Sequence, residues 1–455
     1  MSQHSLFSRR DILRATSCGF GYLALAGLCS QVNGEENPLA PKSPHFKAKA
    51  KRVIFMFMQG APSHVDTFDH KPKLASDDGK SEGSKGRKLM KSPFKFPKQG
   101  QSGLPMSELF PNLGKQADEL CLVNSMKTDI PNHSQAAVQL HTGSFQFVRP
   151  SVGAWVLYGL GSENHELPGF ITINPLSRVG GAQNYGSAFL PATYQGTRIG
   201  GEGEQLARAR IANISNPKMA AVAQRKQLDL LQSFNRERLE LDRVNTSLEG
   251  LIESYELAFK MQGAVPRIMD TTDESQSTLD MYGIGTKATD NFGRQCLLAR
   301  RFAEAGVRFI ELSHPGWDQH NNLKAAITNN CTAIDKPMAA LVQDLKQRGM
   351  LKDTLLIWGG EFGRTPTSQN DNGRDHNAGG YSMWLAGGGV KGGMRYGATD
   401  EHGTKAVKDE MHIHDLHATA LHLLGLDHER LTYRYSGRDF RLTETHGKIA
   451  KGLIA

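Results

Sequence analysis

Four loops in this 455-residue chain carry carboxylates or imidazoles beside runs that read as strands. His64, Asp66 and Asp69 follow the apolar run Arg52 to Met58. Asp318 and His320 follow Val307 to Leu312. Glu361 and Arg364 follow Thr354 to Trp358. Asp375 and His376 precede Tyr381 to Ala386. One such residue in one loop is ordinary solvated surface. Four loops meeting on one rim would offer mixed oxygen and imidazole ligands for a divalent metal. The candidates are Asp66, Asp318, His320, Glu361, Asp375 and His376, with Zn placed first and Mn, Fe, Mg or Ca as alternatives. A metal held there polarises an ester oxygen and lowers the pKa of a water or hydroxyl.

Convergence depends on the elements between the loops. Arg52–Met58 is a continuous apolar run, the pattern of a strand buried on both faces. Strands are also expected over 120–123, 169–173, 307–312, 354–358 and 381–386. Helices are expected over 107–122, 132–142, 333–348 and 414–424, several of them stopped by glycine. The alternation predicts an α/β fold with a mostly parallel sheet covered on both faces. Ligands then bind beyond the carboxyl ends of the strands. From Asn216 to Gln262, Leu228, Leu231, Phe234, Leu241, Leu248, Leu251 and Tyr255 form one stripe at helical spacing, which predicts a helical insertion within about 205–285.

The net charge of +8 is uneven, with +5 in residues 1–52 and +6 in residues 71–98. A basic leader and one basic loop are not a basic face, so nucleic acid is not expected as a partner. Ser8-Arg9-Arg10-Asp11 followed by an apolar stretch to Cys29 reads as a twin-arginine export signal over 1–31. The expected location is periplasmic or extracellular, the expected partner of the leader is the export machinery, and membrane contact is through an uncleaved leader alone. Residues 32–50 read as a linker and 446–455 as a tail. Cys121, Cys296 and Cys331 lie outside the leader, and scattered thiols of this kind read as small buried residues rather than a disulfide framework.

Lys127-Thr128-Asp129-Ile130-Pro131-Asn132-His133, closing at Thr142-Gly143, resembles the nucleophile segment of nucleotide phosphodiesterases of the alkaline phosphatase superfamily. That resemblance implies Thr128 as nucleophile, Asn132 as phosphoryl contact and Ser134 as alternative nucleophile. Arg364 or Asn132 would hold the anion. Asp318, His320 and His376 resemble one metal site of the superfamily; Asp66, Thr128 and Glu361 resemble the other. The sequence departs from the pattern at Phe362, where a His is usual, and at Gln59-Gly60, where an Asp is usual. As a set, Gly60-Ala61-Pro62-Ser63-His64-Val65-Asp66-Thr67-Phe68-Asp69, Trp317-Asp318-Gln319-His320, Gly360-Glu361-Phe362-Gly363-Arg364-Thr365-Pro366, Gly373-Arg374-Asp375-His376 and His414-Asp415-Leu416-His417-Ala418-Thr419 resemble the domain-of-unknown-function 1501 family from about Arg52 to Leu442. The resemblance implies an alkaline phosphatase-like fold and a metal-dependent hydrolase of small anionic phosphate or sulfate esters. The departures also admit a non-catalytic binding or assembly protein. His412, His414, His417 and His422 are read as structural.

Overall fold

The computed structural model describes residues 38–82, 86–208, 218–241, 246–370 and 372–455. The expected export signal and residues 32–37 of the expected linker lie outside the described residues.

A nine-stranded sheet forms the centre. Its strands are β1 (Arg52–Met58), β2 (Leu120–Lys127), β3 (Phe170–Ile173), β4 (Thr197–Ile199), β5 (Phe309–His314), β6 (Thr354–Gly359), β9 (Tyr381–Ala386), β10 (Met394–Tyr396) and β11 (Met411–His412). Between β6 and β9, β7 (Gly363–Gln369) and β8 (Gly373–Asn377) make a separate antiparallel hairpin. The sheet order is β10-β2-β9-β6-β1-β5-β3-β4, with β11 beside β2. Only β9 runs against its neighbours, and the other pairings are parallel.

β1 is buried at every residue and splits the core by alternation. Ile54, Met56 and Met58 face one apolar cluster with α5 (Asp290–Glu304) and α6 (Leu323–Gln347). Val53, Phe55 and Phe57 face the other, with α1 (His133–Thr142), α2 (Val152–Leu160) and α7 (Ile413–Leu423). The result is the expected three-layer α/β fold.

The expected insertion contains two long helices, α3 (Ala221–Leu241) and α4 (Thr246–Met269). The expected helix over 107–122 is instead a 3-10 turn, Leu113–Glu119, running into a longer strand. β5 begins two residues late because the amide of Val307 still bonds the carbonyl of Phe302. The expected linker and tail both lie against the domain. Lys42 and Ala50 bond the carbonyls of Leu160 and Leu423, and Leu453 is buried. Cys121, Cys296 and Cys331 are free and buried. No helix among the described residues is long and apolar enough to cross a membrane.

Candidate metal centre

The carboxyl ends of β1, β2, β5 and β6 and the start of β9 share one rim, because β9 alone is reversed. Four side chains meet there: His133, Asp318, His320 and His376, each offering one ligand atom within 4.8 Å of the others.

His133 opens α1. Asn132 caps that helix by accepting from the amide of Gln135, and Gly143 ends it in the left-handed conformation. Asp318 and His320 come from the loop after β5. Gly60, at φ +105°, lets the loop after β1 pass against them; a Cβ there would meet the amide nitrogen of Asp318 at 2.5 Å. His376 lies on β8, opposite Arg364 on β7.

Each imidazole is oriented through Nδ1. His133 Nδ1 donates to Glu361 Oε1 at 2.5 Å, His320 Nδ1 to Gln369 Oε1 at 2.6 Å, and His376 Nδ1 to the Pro131 carbonyl at 2.8 Å. A carbonyl or carboxylate can only accept, so all three rings carry a proton on Nδ1 and turn Nε2 inward. His320 Nε2 and His376 Nε2 stand 2.9 Å apart. His133 Nε2 is buried without a hydrogen-bond partner among the described residues; Asp318 Oδ1 is 3.1 Å away but off the bonding axis. Asp318 Oδ1 also lies 2.8 Å from His320 Nε2 and 3.3 Å from His376 Nε2. Imidazole nitrogens gathered on a carboxylate oxygen call for positive charge between them, a proton or a metal ion, and the orphaned Nε2 fits a metal ligand. Ligand imidazoles held by an outer acceptor are the usual arrangement around a bound metal.

Burial alone would lower the His133 pKa, but Asp318 and Glu361 outweigh it and raise it to about 9, so at neutral pH Nε2 carries a proton that a metal ion would replace. Burial opposes ionisation of Asp318, yet the imidazoles of His133 and His376 beside it and the buried Arg364 guanidinium, bonded to Oδ1 at 2.6 Å, hold its carboxyl far below the ordinary range. Phe362 packs on two of the ligands, 4.7 Å from the His133 ring and 4.8 Å from that of His376.

The other expected site residues take different places. Asp66 is not among the converging atoms. It forms a fully buried two-pronged ion pair with Arg374, at 2.6 and 3.1 Å, and accepts from Ser63. Asp375 points away from its neighbour His376, because successive residues of a strand face opposite sides, and pairs with Arg87 at 2.5 Å. Glu361 stands behind His133 and accepts from the Gly60 amide at 3.0 Å. Arg364 is fully buried. It bonds Asp318 Oδ1 at 2.6 Å and the carbonyls of Gly60, Ala61, Trp317 and Arg374, so it supports a ligand instead of offering a free guanidinium. The Thr128 hydroxyl donates to Gln139 Oε1 at 2.9 Å. Asn132 serves as the cap, and Ser134 is exposed in the first turn of α1. His133 was not among the expected ligands. The signal was its place beyond the carboxyl end of β2, the same rule that selected the other loops.

Fold and site thus define an α/β protein with an imidazole-rich rim whose four ligand atoms could hold a metal ion. The chain belongs to the family described as "Protein of unknown function (DUF1501)", matched over residues 50–454. No curated protein matches it. Among solved structures it is similar to the PsFucS1 sulfatase from Pseudoalteromonas sp., at 13% identity and TM-score 0.37, covering 90% of this chain and 72% of that one. It is also similar to the lipoteichoic acid synthase LtaP from Listeria monocytogenes, at 10% and 0.37, covering 92% and 80%. A third is the alkaline phosphatase from the Antarctic bacterium TAB5, at 11% and 0.32, covering 75% and 92%.

Proposed function

We propose that this protein is an exported, metal-dependent hydrolase of phosphate or sulfate esters, with one metal held by His133, Asp318, His320 and His376. The supporting observation is the inward set of three Nε2 atoms and Asp318 Oδ1, each ring tied back through Nδ1. Three imidazoles and a carboxylate suit Zn, Mn or Fe. They do not suit Ca, which takes six to eight oxygens. A bound metal there supplies positive charge to an ester oxygen and acidifies a water. The ester class comes from the motif resemblance around Lys127–His133, and export from the paired arginines of the leader.

The chain's own groups have defined tasks in this reading. Glu361 holds the His133 ring in the tautomer that turns Nε2 inward. Arg364 fixes Asp318 and keeps it ionised. The start of α1 places a positive helix end beside the site, which favours an anionic ester. The Asp318 side chain, 46% exposed, marks the open side. Water attacks rather than Thr128, whose hydroxyl donates to Gln139 and bonds none of the cluster residues.

Metal analysis of the purified protein, with assay on aryl phosphate and aryl sulfate esters, tests this. Stoichiometric Zn, Mn or Fe and turnover abolished by chelation are expected. A metal-free protein that stays inactive after reconstitution overturns it. One observation favours a second reading, a structural metal in a non-catalytic protein: four protein ligands close a tetrahedral ion. Tightly held metal with no turnover on any ester would select it.

A further inference from the structure

Helix α3 turns its polar side inward. Its one buried residue among those described is Gln232, and hydrogen bonds hold that side against α4. Gln232 Nε2 donates to the Ile252 carbonyl at 2.8 Å and to Glu256 Oε1 at 3.2 Å. Asn235 Nδ2 donates to Gln232 Oε1 at 3.1 Å. Arg225 donates twice to Glu256, at 2.8 and 2.9 Å. The apolar residues of α3 are on the outside: Leu230, Leu231 and Phe234 are 59%, 41% and 58% exposed. An amphipathic helix on a globular domain normally turns its apolar stripe to the core. Here the polar bonds fix the opposite orientation.

Between the helices runs an open groove of 430 Å³, lined by Leu228, Leu231 and Phe234 of α3 and by Tyr255, Ala258 and Phe259 of α4. Contiguous apolar surface of this kind marks a contact site. Three features choose a second copy of this chain as its occupant. No Asp, Glu, Lys or Arg lines the groove among the described residues, and its polar rim is Gln224, Gln227 and Gln262. An amide both donates and accepts, so this rim can bond its own copy, which a rim of one charge would repel. The same patch offers a projecting part, Leu230 and Phe234, and a receiving one, the groove. A two-fold interface needs both on one surface, because each copy presents the same patch. The third feature is area. α3 has 21 residues, a length of ~32 Å, and two helices side by side are ~20 Å wide. The face is therefore ~600 Å² per copy and ~1,200 Å² for a pair, the lower end of stable interfaces. A lipid surface fits less well. Helices that lie on anionic lipid carry a basic polar face, whereas Asp229, Glu237 and Glu240 interrupt the bases of α3.

We propose that the α3–α4 face is a dimer interface: two copies of this chain meet across a two-fold axis, apolar face on apolar face, with four helices in the contact. The proposal rests on this face alone and stands whether or not the metal centre hydrolyses esters.

The test is sedimentation velocity on the full chain, from nanomolar to micromolar concentration. Leu230→Glu and Phe234→Glu each place a charge on the face at an exposed position. Phe147→Glu is the control, at an exposed apolar residue in the loop after α1. The wild type and Phe147→Glu are expected to be dimers at micromolar concentration. The two α3 variants are expected to be monomers there, with the dissociation constant raised about 100-fold and with circular dichroism and metal content unchanged. If Phe234→Glu fails to fold, Leu230→Glu carries the comparison. The proposal is overturned if the wild type is a monomer throughout, if the α3 variants dimerise as the wild type does, or if Phe147→Glu weakens the dimer as much as they do. A monomeric wild type that binds phosphatidylglycerol vesicles, with binding lost in Phe234→Glu, would overturn it in favour of a lipid surface.

Discussion

Two regions of this molecule are rich in histidine, and they behave in opposite ways. On the rim, His133, His320 and His376 donate through Nδ1 to outward acceptors and converge through Nε2. On α7, His414 and His417 instead donate Nε2 to the carbonyls of Gly143 and Leu140, at 2.7 Å each. Their Nδ1 atoms find no hydrogen-bond partner among the described residues. Burial lowers both pKa values, that of His417 to about 3, whereas His133 is raised to about 9 by its carboxylates. A count of histidines does not separate the regions. What separates them is which nitrogen is tied, and whether a carboxylate stands opposite the other.

The sharpest way to break this comparison is to delete one ring from each region. His376→Ala is expected to remove metal from the purified protein and with it any ester turnover. His417→Gln, which keeps a donor for the Leu140 carbonyl, is expected to leave metal content intact. Elemental analysis of both proteins reads the outcome, and metal loss in the α7 variant would sink the distinction. A smaller effect is expected behind the rim. Glu361→Gln keeps the shape but removes the charge that orients His133. Metal affinity, read by chelator competition, is expected to fall by about 10- to 100-fold with the fold intact. An unchanged affinity would remove Glu361 from the site.

Much of the frame was legible before the structure. Tyr381–Ala386 has the expected bounds because a buried apolar run stands between polar turns. α1 lies where an Asn cap and a Gly stop enclose it. The β7–β8 hairpin was not legible, because Gly363 to Asn377 is mostly polar and lacks the apolar alternation that marks a strand. The partners of the carboxylates were hidden too. Asp66 and Arg374 are 308 residues apart, and Asp375 and Arg87 are 288 apart. Loop position brought each carboxylate to the rim region; only packing shows that a guanidinium engages it. His133 is hidden for a related reason: the resemblance points to Thr128 and Asn132, and nothing in the segment marks the imidazole beside them.

The α7 region can be tested through acid. A histidine whose folded pKa is depressed stabilises the fold only while neutral. The unfolded value is about 6.5 and the folded value of His417 about 3. The contribution is therefore whole above pH 6.5 and is lost as pH falls from there toward 3. Carboxylates titrate in the same window, so the difference between proteins is the signal. His417→Gln is expected to flatten the fall of the urea midpoint across that window relative to the wild type. Parallel curves would mean that the ring does not resist protonation. Rim histidines add metal loss at low pH, but equally in both proteins.

The smallest expected effect concerns Thr128, and it bears directly on the chemistry of the rim. Thr128→Val keeps the shape and removes the hydroxyl. In the folded protein that hydroxyl donates to Gln139 Oε1, which also accepts from the amide of Asp129 at 3.4 Å. The oxygen therefore keeps one donor, and the lost bond costs about 1 kcal/mol of stability. If water attacks the ester, turnover by Thr128→Val stays near that of the wild type, because no group touching the metal ligands has changed. If Thr128 attacks, turnover falls by several orders of magnitude while metal content holds. The two outcomes are too far apart to confuse. A large loss with full metal occupancy would require the hydroxyl to leave Gln139 and swing toward His133 when substrate binds.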